Sequence, residues 1–188
     1  MTTLHLKNSI SRSPLRLGLL LIPLLLACFA AVFISIPTPA AAGDTVPFNG
    51  VVSGNIPADF ATNPDYFVEG NPCLRDFFVS NSGIATQLGA FAGTAEFIPN
   101  LCDGSYTGFF YWTAANGDEI SGYFVGQLTP TGTPGLFDNN ETSVVTAGTG
   151  RFANATSTFT LTGQVNFNTL SFVLPWTGTI STVGSTKH

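Results

Sequence analysis

From Ser157 to Asn168 the chain reads STFTLTGQVNFN, with an apolar residue or glycine at every second position. Phe159, Leu161, Gly163, Val165 and Phe167 share one parity; Thr158, Thr160, Thr162, Gln164, Asn166 and Asn168 share the other. A period of two sends alternate side chains to opposite faces of an extended chain, so this segment is a strand with one buried and one wet face. The next segment, SFVLPWTGTIST, repeats the pattern with Phe172, Leu174, Trp176, Gly178 and Ile180 on one face. NTL between them reads as a hairpin loop. Pro175 has no N–H for a sheet ladder and marks an edge or a bulge.

A second hairpin lies upstream. SYTGFFYWTA groups Tyr106, Gly108, Phe110 and Trp112, and EISGYFVGQLTP groups Ile120, Gly122, Phe124, Gly126 and Leu128. ANGD, Ala115 to Asp118, joins them, and Asn-Gly suits the turn of a tight hairpin. Phe109, Tyr111 and Tyr123 put aromatics on the other face too, which predicts strands covered on both sides or with one side lining a cavity. Further strands are expected in VPFNGVVSG (46–54), RDFFVS (75–80), IATQLGAFAGTAEFI (84–98) and, as a short one, ETSVVTAG (141–148). NIPADFATNPDYFVEGNP and TPTGTPGLFDNN read as loops long enough to cover an opening. Helix signals are nearly absent. About eight antiparallel strands with an apolar face must be covered or closed. Inward glycines at 108, 122, 126, 163 and 178 suit the bending of a small barrel, with a two-sheet β-sandwich as the alternative.

The domain has a preface. Lys7, Arg12 and Arg16 precede the apolar run Leu17 to Ile36, and PTPAAAG follows. This is the layout of a signal peptide, residues 1–42, cleaved after Ala42. Two alternatives remain: an uncleaved membrane anchor, or lipidation at Cys28 within LLAC. Each exports a single domain, residues 43–188, to a secreted, periplasmic or cell-surface location.

That domain carries all eleven acids but three bases, Arg75, Arg151 and Lys187, for a net charge of −8. Nucleic acid as a partner is excluded by the lack of clustered cations, and adhesion to anionic lipid is disfavoured for the same reason. The membrane enters only through the N-terminal segment. Cys73 and Cys102 are the two cysteines left after residue 42. In an oxidising compartment they are expected to pair, and closing that loop contributes roughly 3.5 kcal/mol in the chain-entropy model.

The run TAGTGRFANATSTFTLTGQVNFNTLSFVLPWTGTI, Thr146 to Ile180, resembles exported bacterial proteins of unassigned function whose motif reads GGTGRFAGATG. Its Gly-Thr-Gly-Arg-Phe element is also similar to that of plant dirigent proteins and, more distantly, of the allene oxide cyclase barrel. The resemblance implies an eight-stranded antiparallel barrel with an apolar cavity. Asn154 and Ser157 stand where the bacterial pattern has glycine, and no catalytic residue is carried over.

The chemistry is bounded mainly by exclusion. His188, the last residue, is the only histidine after residue 42. A Ser-His-Asp triad or a Cys-His dyad is therefore not available. No metal site and no cofactor are expected, since zinc and copper sites lean on His and Cys. Asp118-Glu119 and the loop acids of DNNE, Asp138 to Glu141, lack the spacing of a calcium loop. Arg151 has two readings. It anchors a ligand at a barrel mouth, or it locks a corner against an acid while Phe152 plugs the core. The aromatic candidates for ligand contact are Tyr111, Tyr123, Trp112 and Trp176. The expected function is non-enzymatic binding of an apolar small molecule or an extracellular surface. The alternatives are a dirigent-like or cyclase-like enzyme that steers a reactive intermediate, and a structural surface component.

Overall fold

Period-two alternation extends through the whole domain. The computed structural model describes residues 45–181. The leader 1–42 with Cys28, and His188, lie outside the described residues. The strands are β1 (Thr45–Pro47), β2 (Gly50–Asn55), β3 (Phe77–Ala85), β4 (Gly89–Pro99), β5 (Ser105–Ala114), β6 (Glu119–Pro130), β7 (Leu136–Gly148), β8 (Ser157–Asn166) and β9 (Ser171–Ser181). All pairings are antiparallel, each strand from β2 to β9 pairs with the next, and β9 pairs back on β2. The result is a closed eight-stranded barrel, not a sandwich. The short β1 lies beside β9 in the same register as β2, so β1 and β2 are one stave broken at Phe48-Asn49. Among the described residues there is no α-helix, only 3-10 turns at Pro64–Tyr66 and Gly150–Phe152.

The interior of an eight-stranded barrel is only wide enough for its own side chains. This chain fits large rings into it by facing them with glycine. Directly across the ladder, Gly50 meets Trp176 and Gly54 meets Phe172. Gly83 meets Phe91, Gly93 meets Trp112, and Gly126 meets Tyr106 in the same way. Gly108 meets Phe124, and Gly178 meets Phe159. At each of these positions an added Cβ would collide with the facing aromatic residue or with nearby backbone. The inward glycines are therefore seats for rings as well as points of bending.

At one end the rings of Phe48, Phe91, Phe110, Trp112, Phe159 and Trp176 form a floor with neighbouring centroids 4.6 to 6.0 Å apart. Phe152, fully buried, seals that end from below. The other end is crossed by the long β2–β3 connection, residues 56–76, whose Ile56, Phe60 and Tyr66 pack onto the core. Phe60 stacks on Phe167 of the β8–β9 turn at 5.3 Å. Cys73 is disulfide-bonded to Cys102 in the β4–β5 turn, with Cα atoms 5.4 Å apart. Arg75 holds the same cover from within: its Nη1 donates to the carbonyls of Pro72 and Leu74, and its guanidinium lies 3.6 Å from the Phe67 ring.

Four expectations need correction. Residues 84–98 are not one strand: the chain reverses at Thr86–Leu88, with Gln87 at φ 69°, between β3 and β4. DNNE is not in a loop: β7 begins at Leu136 and pairs with both β6 and β8 along its length. Asp138 and Glu141 thus point to opposite faces and cannot share a calcium ion. The outer aromatics are not covered on a second side, because Phe109, Tyr111 and Tyr123 are 47%, 52% and 42% exposed, and the alternative of one side lining a cavity holds instead. Pro175 is at neither an edge nor a bulge. It leaves a gap in the β8–β9 ladder between Leu161↔Trp176 and Gln164↔Val173, with the register unchanged on both sides.

Gly178→Ala places a methyl against Phe159 and the Thr158 carbonyl. It is expected to destabilise the barrel by about 1–3 kcal/mol, the cost of overpacking a core. Thermal unfolding followed by near-ultraviolet circular dichroism checks this; an unchanged midpoint would mean the ring is not seated on the glycine.

Candidate functional site

Between the aromatic floor and the covered mouth lies a cavity of about 160 Å³. Its walls are mostly hydrocarbon, from Val52, Val79, Ala95, Leu161, Val165 and Leu174, with rings from Phe77, Phe97, Phe124 and Trp112. Against this background the inward face of β7 carries three polar residues in succession, Asn139, Glu141 and Ser143. Asn81 of β3 lines the opposite wall, four staves away in a ring of eight. All four are buried, and Asn81 Oδ1 has no hydrogen-bond partner.

The β7 residues form one network with Tyr106 of β5, which lies flat over Gly126. Ser143 Oγ donates to Glu141 Oε1 at 2.7 Å. The Tyr106 hydroxyl is 2.9 Å from Glu141 Oε2 and also within hydrogen-bond reach of Asn139 Oδ1. Asn139 Nδ2 donates to the Leu161 carbonyl at 3.4 Å. Tyrosine has one hydroxyl proton and cannot donate to both neighbours at once. Every contact is satisfied when Glu141 is protonated. Glu141 then donates to Tyr106, Tyr106 donates to Asn139, and Asn139 donates to the backbone. Burial pushes the Glu141 carboxyl up to about 7, while the bonds from Ser143 and Tyr106 pull it partly back. Burial and the nearby Glu141 raise the Tyr106 phenol above its ordinary value, so it stays a neutral donor.

Neither arginine among the described residues reaches Glu141. Arg151 is at the floor end, where Nε pairs with Asp118 at 3.1 Å and Nη2 donates to the Leu88 carbonyl at 3.3 Å. It ties the Gly148–Phe152 turn to the β5–β6 and β3–β4 turns, and it does not line the cavity. Of the aromatic candidates, Trp112 lines the cavity, whereas Trp176 is embedded in the floor, stacked on Trp112 at 5.2 Å. Both indole N–H groups are buried without acceptors. Tyr111 and Tyr123 stand on the outer wall. Sequence reading missed Asn81, Asn139 and Ser143, and it placed Glu141 among loop acids. The signal for the β7 group was present: counting back by twos from the apolar Val145 gives Ser143, Glu141 and Asn139 on the inner face. No family model, curated protein or solved structure matches the chain.

A carboxyl whose pKa is higher in the folded state binds its proton more tightly there. Its contribution favours folding below the folded pKa and is lost as pH rises from about 4.5 to 7. The loss is on the order of 3 kcal/mol at most. Denaturant titrations of the wild type and Glu141→Gln at pH 5 and pH 8 should show a smaller decline in the variant. Equal declines would mean that Glu141 is charged in both states.

Proposed function

We propose that the protein is an exported, disulfide-stapled barrel that binds a small, mainly apolar molecule inside itself. The observation that carries this reading is the cavity, apolar on nearly all sides with a short polar wall. Such a lining is the usual composition of a ligand site, where apolar contact supplies affinity and a few polar groups fix orientation. Its volume sets the scale. Cavities of roughly 150 Å³ take up benzene-sized molecules, so the occupant is far smaller than a fatty acid. The disulfide fits an extracytoplasmic setting, because such bonds persist where thiols are oxidised. A second reading, an enzyme that steers a reactive intermediate by shape, draws support from Glu141. A neutral carboxylic acid held in an apolar site is a group able to donate a proton there.

Toluene tests the binding reading directly. At millimolar concentration it should raise the melting temperature of the wild type by a few degrees, since a ligand bound only to the folded state stabilises it by mass action. Ala95→Leu projects a larger side chain into the cavity and should abolish that shift. A shift of the same size in the variant would place the bound toluene elsewhere.

A further inference from the structure

Three features of the cavity narrow the chemistry of its occupant. The first is the absence of positive charge from its lining, where Glu141 is the one ionisable residue. Arg75 is held by loop carbonyls and Arg151 by Asp118. An anionic ligand would meet a buried carboxyl and no counter-charge, so a carboxylate or phosphate is the wrong partner.

The second feature is the hydrogen bonding of Glu141. The network has a second proton arrangement, in which Asn139 Oδ1 gives up the Tyr106 proton and draws back from the hydroxyl oxygen. If Glu141 is ionised, the Tyr106 proton turns to Oε2 and Ser143 still donates to Oε1. Asn139 keeps its bond to the Leu161 carbonyl. Two hydroxyl donors thus already support a carboxylate, and the missing component is a cation. No neighbouring element supplies one. β6 presents Phe124 and Gly126, β8 presents Leu161, and β4 presents Ala95 and Phe97. β3 presents Val79 and Asn81, while β5 presents Tyr106, the only titratable group that faces Glu141.

The third feature is the aromatic wall. Phe77, Phe97, Phe124 and Trp112 bring aromatic rings to the lining, and aromatic rings attract cations. The acidic domain as a whole also concentrates cations around itself.

We infer that the cavity is a site for a small protonated amine with a compact apolar body, its ammonium paired with the Glu141 carboxylate. This rests on the reading of the barrel interior as a binding site. When such an amine enters below neutral pH, Glu141 gives its proton to solvent and the Tyr106 hydroxyl rotates from Asn139 to Glu141. One cation is taken up and one proton released, so the cavity's net charge is conserved. The volume restricts the body to about the size of a single ring. A polyamine would leave further charges unpaired.

Benzylamine, benzyl alcohol and benzoate share one body and differ in charge, and isothermal titration of the full chain with each tests the inference. Benzylamine should bind tightest at pH 8 and roughly tenfold more weakly at pH 6, where Glu141 is mostly protonated. At pH 6 its heat should vary with buffer ionisation enthalpy as nearly one proton is released. Benzoate should not bind. Glu141→Gln should weaken benzylamine at least tenfold at pH 8 and weaken benzyl alcohol far less. The charge series and the pH dependence of the wild type stand without the variant should it fail to fold. Benzyl alcohol binding as tightly as benzylamine at pH 8 would overturn the amine inference alone. The same holds for benzylamine affinity that ignores pH or the Gln substitution. Binding of none of the three would overturn the cavity reading as well.

Discussion

Every feature of this domain depends on how an aromatic ring is accommodated inside a narrow barrel. Eight strands leave little interior volume, yet every strand from β3 to β9 sends at least one Phe, Tyr or Trp inward. The pairing of most of these rings with a glycine across the ladder resolves the conflict. The ring lies over its neighbour's bare backbone instead of standing upright into the axis, as Trp176 does over Gly50 and Phe91 over Gly83. Burial of aromatic surface then supplies much of the stabilisation, and the register is held in place because a slip would set rings against side chains. Since the rings lie flat against the wall, the axis is not completely filled. The cavity is a consequence of the same arrangement that builds the core.

The two ends of the barrel are finished differently. The floor is sealed by packing, with Phe152 beneath six rings and Arg151 joining three turns through one ion pair and one carbonyl. The mouth is closed by a folded segment held by a disulfide, by Arg75 and by stacking of Phe60 on Phe167. Polar groups lie in the middle, where apolar neighbours make an unpaired charge expensive. That placement converts an ordinary carboxylic acid into a group that titrates near neutrality.

Much of the fold was legible because strands alternate with period two and this chain keeps that period with few exceptions. The β5–β6 and β8–β9 hairpins and their inward residues follow from it, while the Cys73–Cys102 bond follows from there being just two cysteines after residue 42. The failures have local causes. Asn139 and Asn140 are poor strand formers next to a Pro-Gly pair, so the start of β7 looked like loop; ladders on both sides override that preference. In 84–98 a turn without Asn-Gly or Pro was hidden by alanine and leucine. The polar wall was concealed by the rule that revealed the rest, since Asn, Glu and Ser at consecutive inward positions read as the end of a buried pattern. Arg151, a rare charge, attracted attention that its position at the floor does not reward. Its location depends on which end of the barrel a turn occupies, and that is set by strand count.

The staple between Cys73 and Cys102 makes the closed mouth conditional on surroundings. With both thiols reduced, the barrel ladder has all its bonds, and the cover keeps its backbone bonds, Arg75 N–H to the Pro99 carbonyl and Leu101 N–H to the Cys73 carbonyl, together with a few ring contacts. The covalent latch can form only where thiols are oxidised. The cover over the cavity therefore has two levels of attachment, hydrogen-bonded alone or also covalent, for the same wall and the same lining. Which one applies is decided by the redox chemistry outside the protein, so the compartment itself acts as the last structural element of the site.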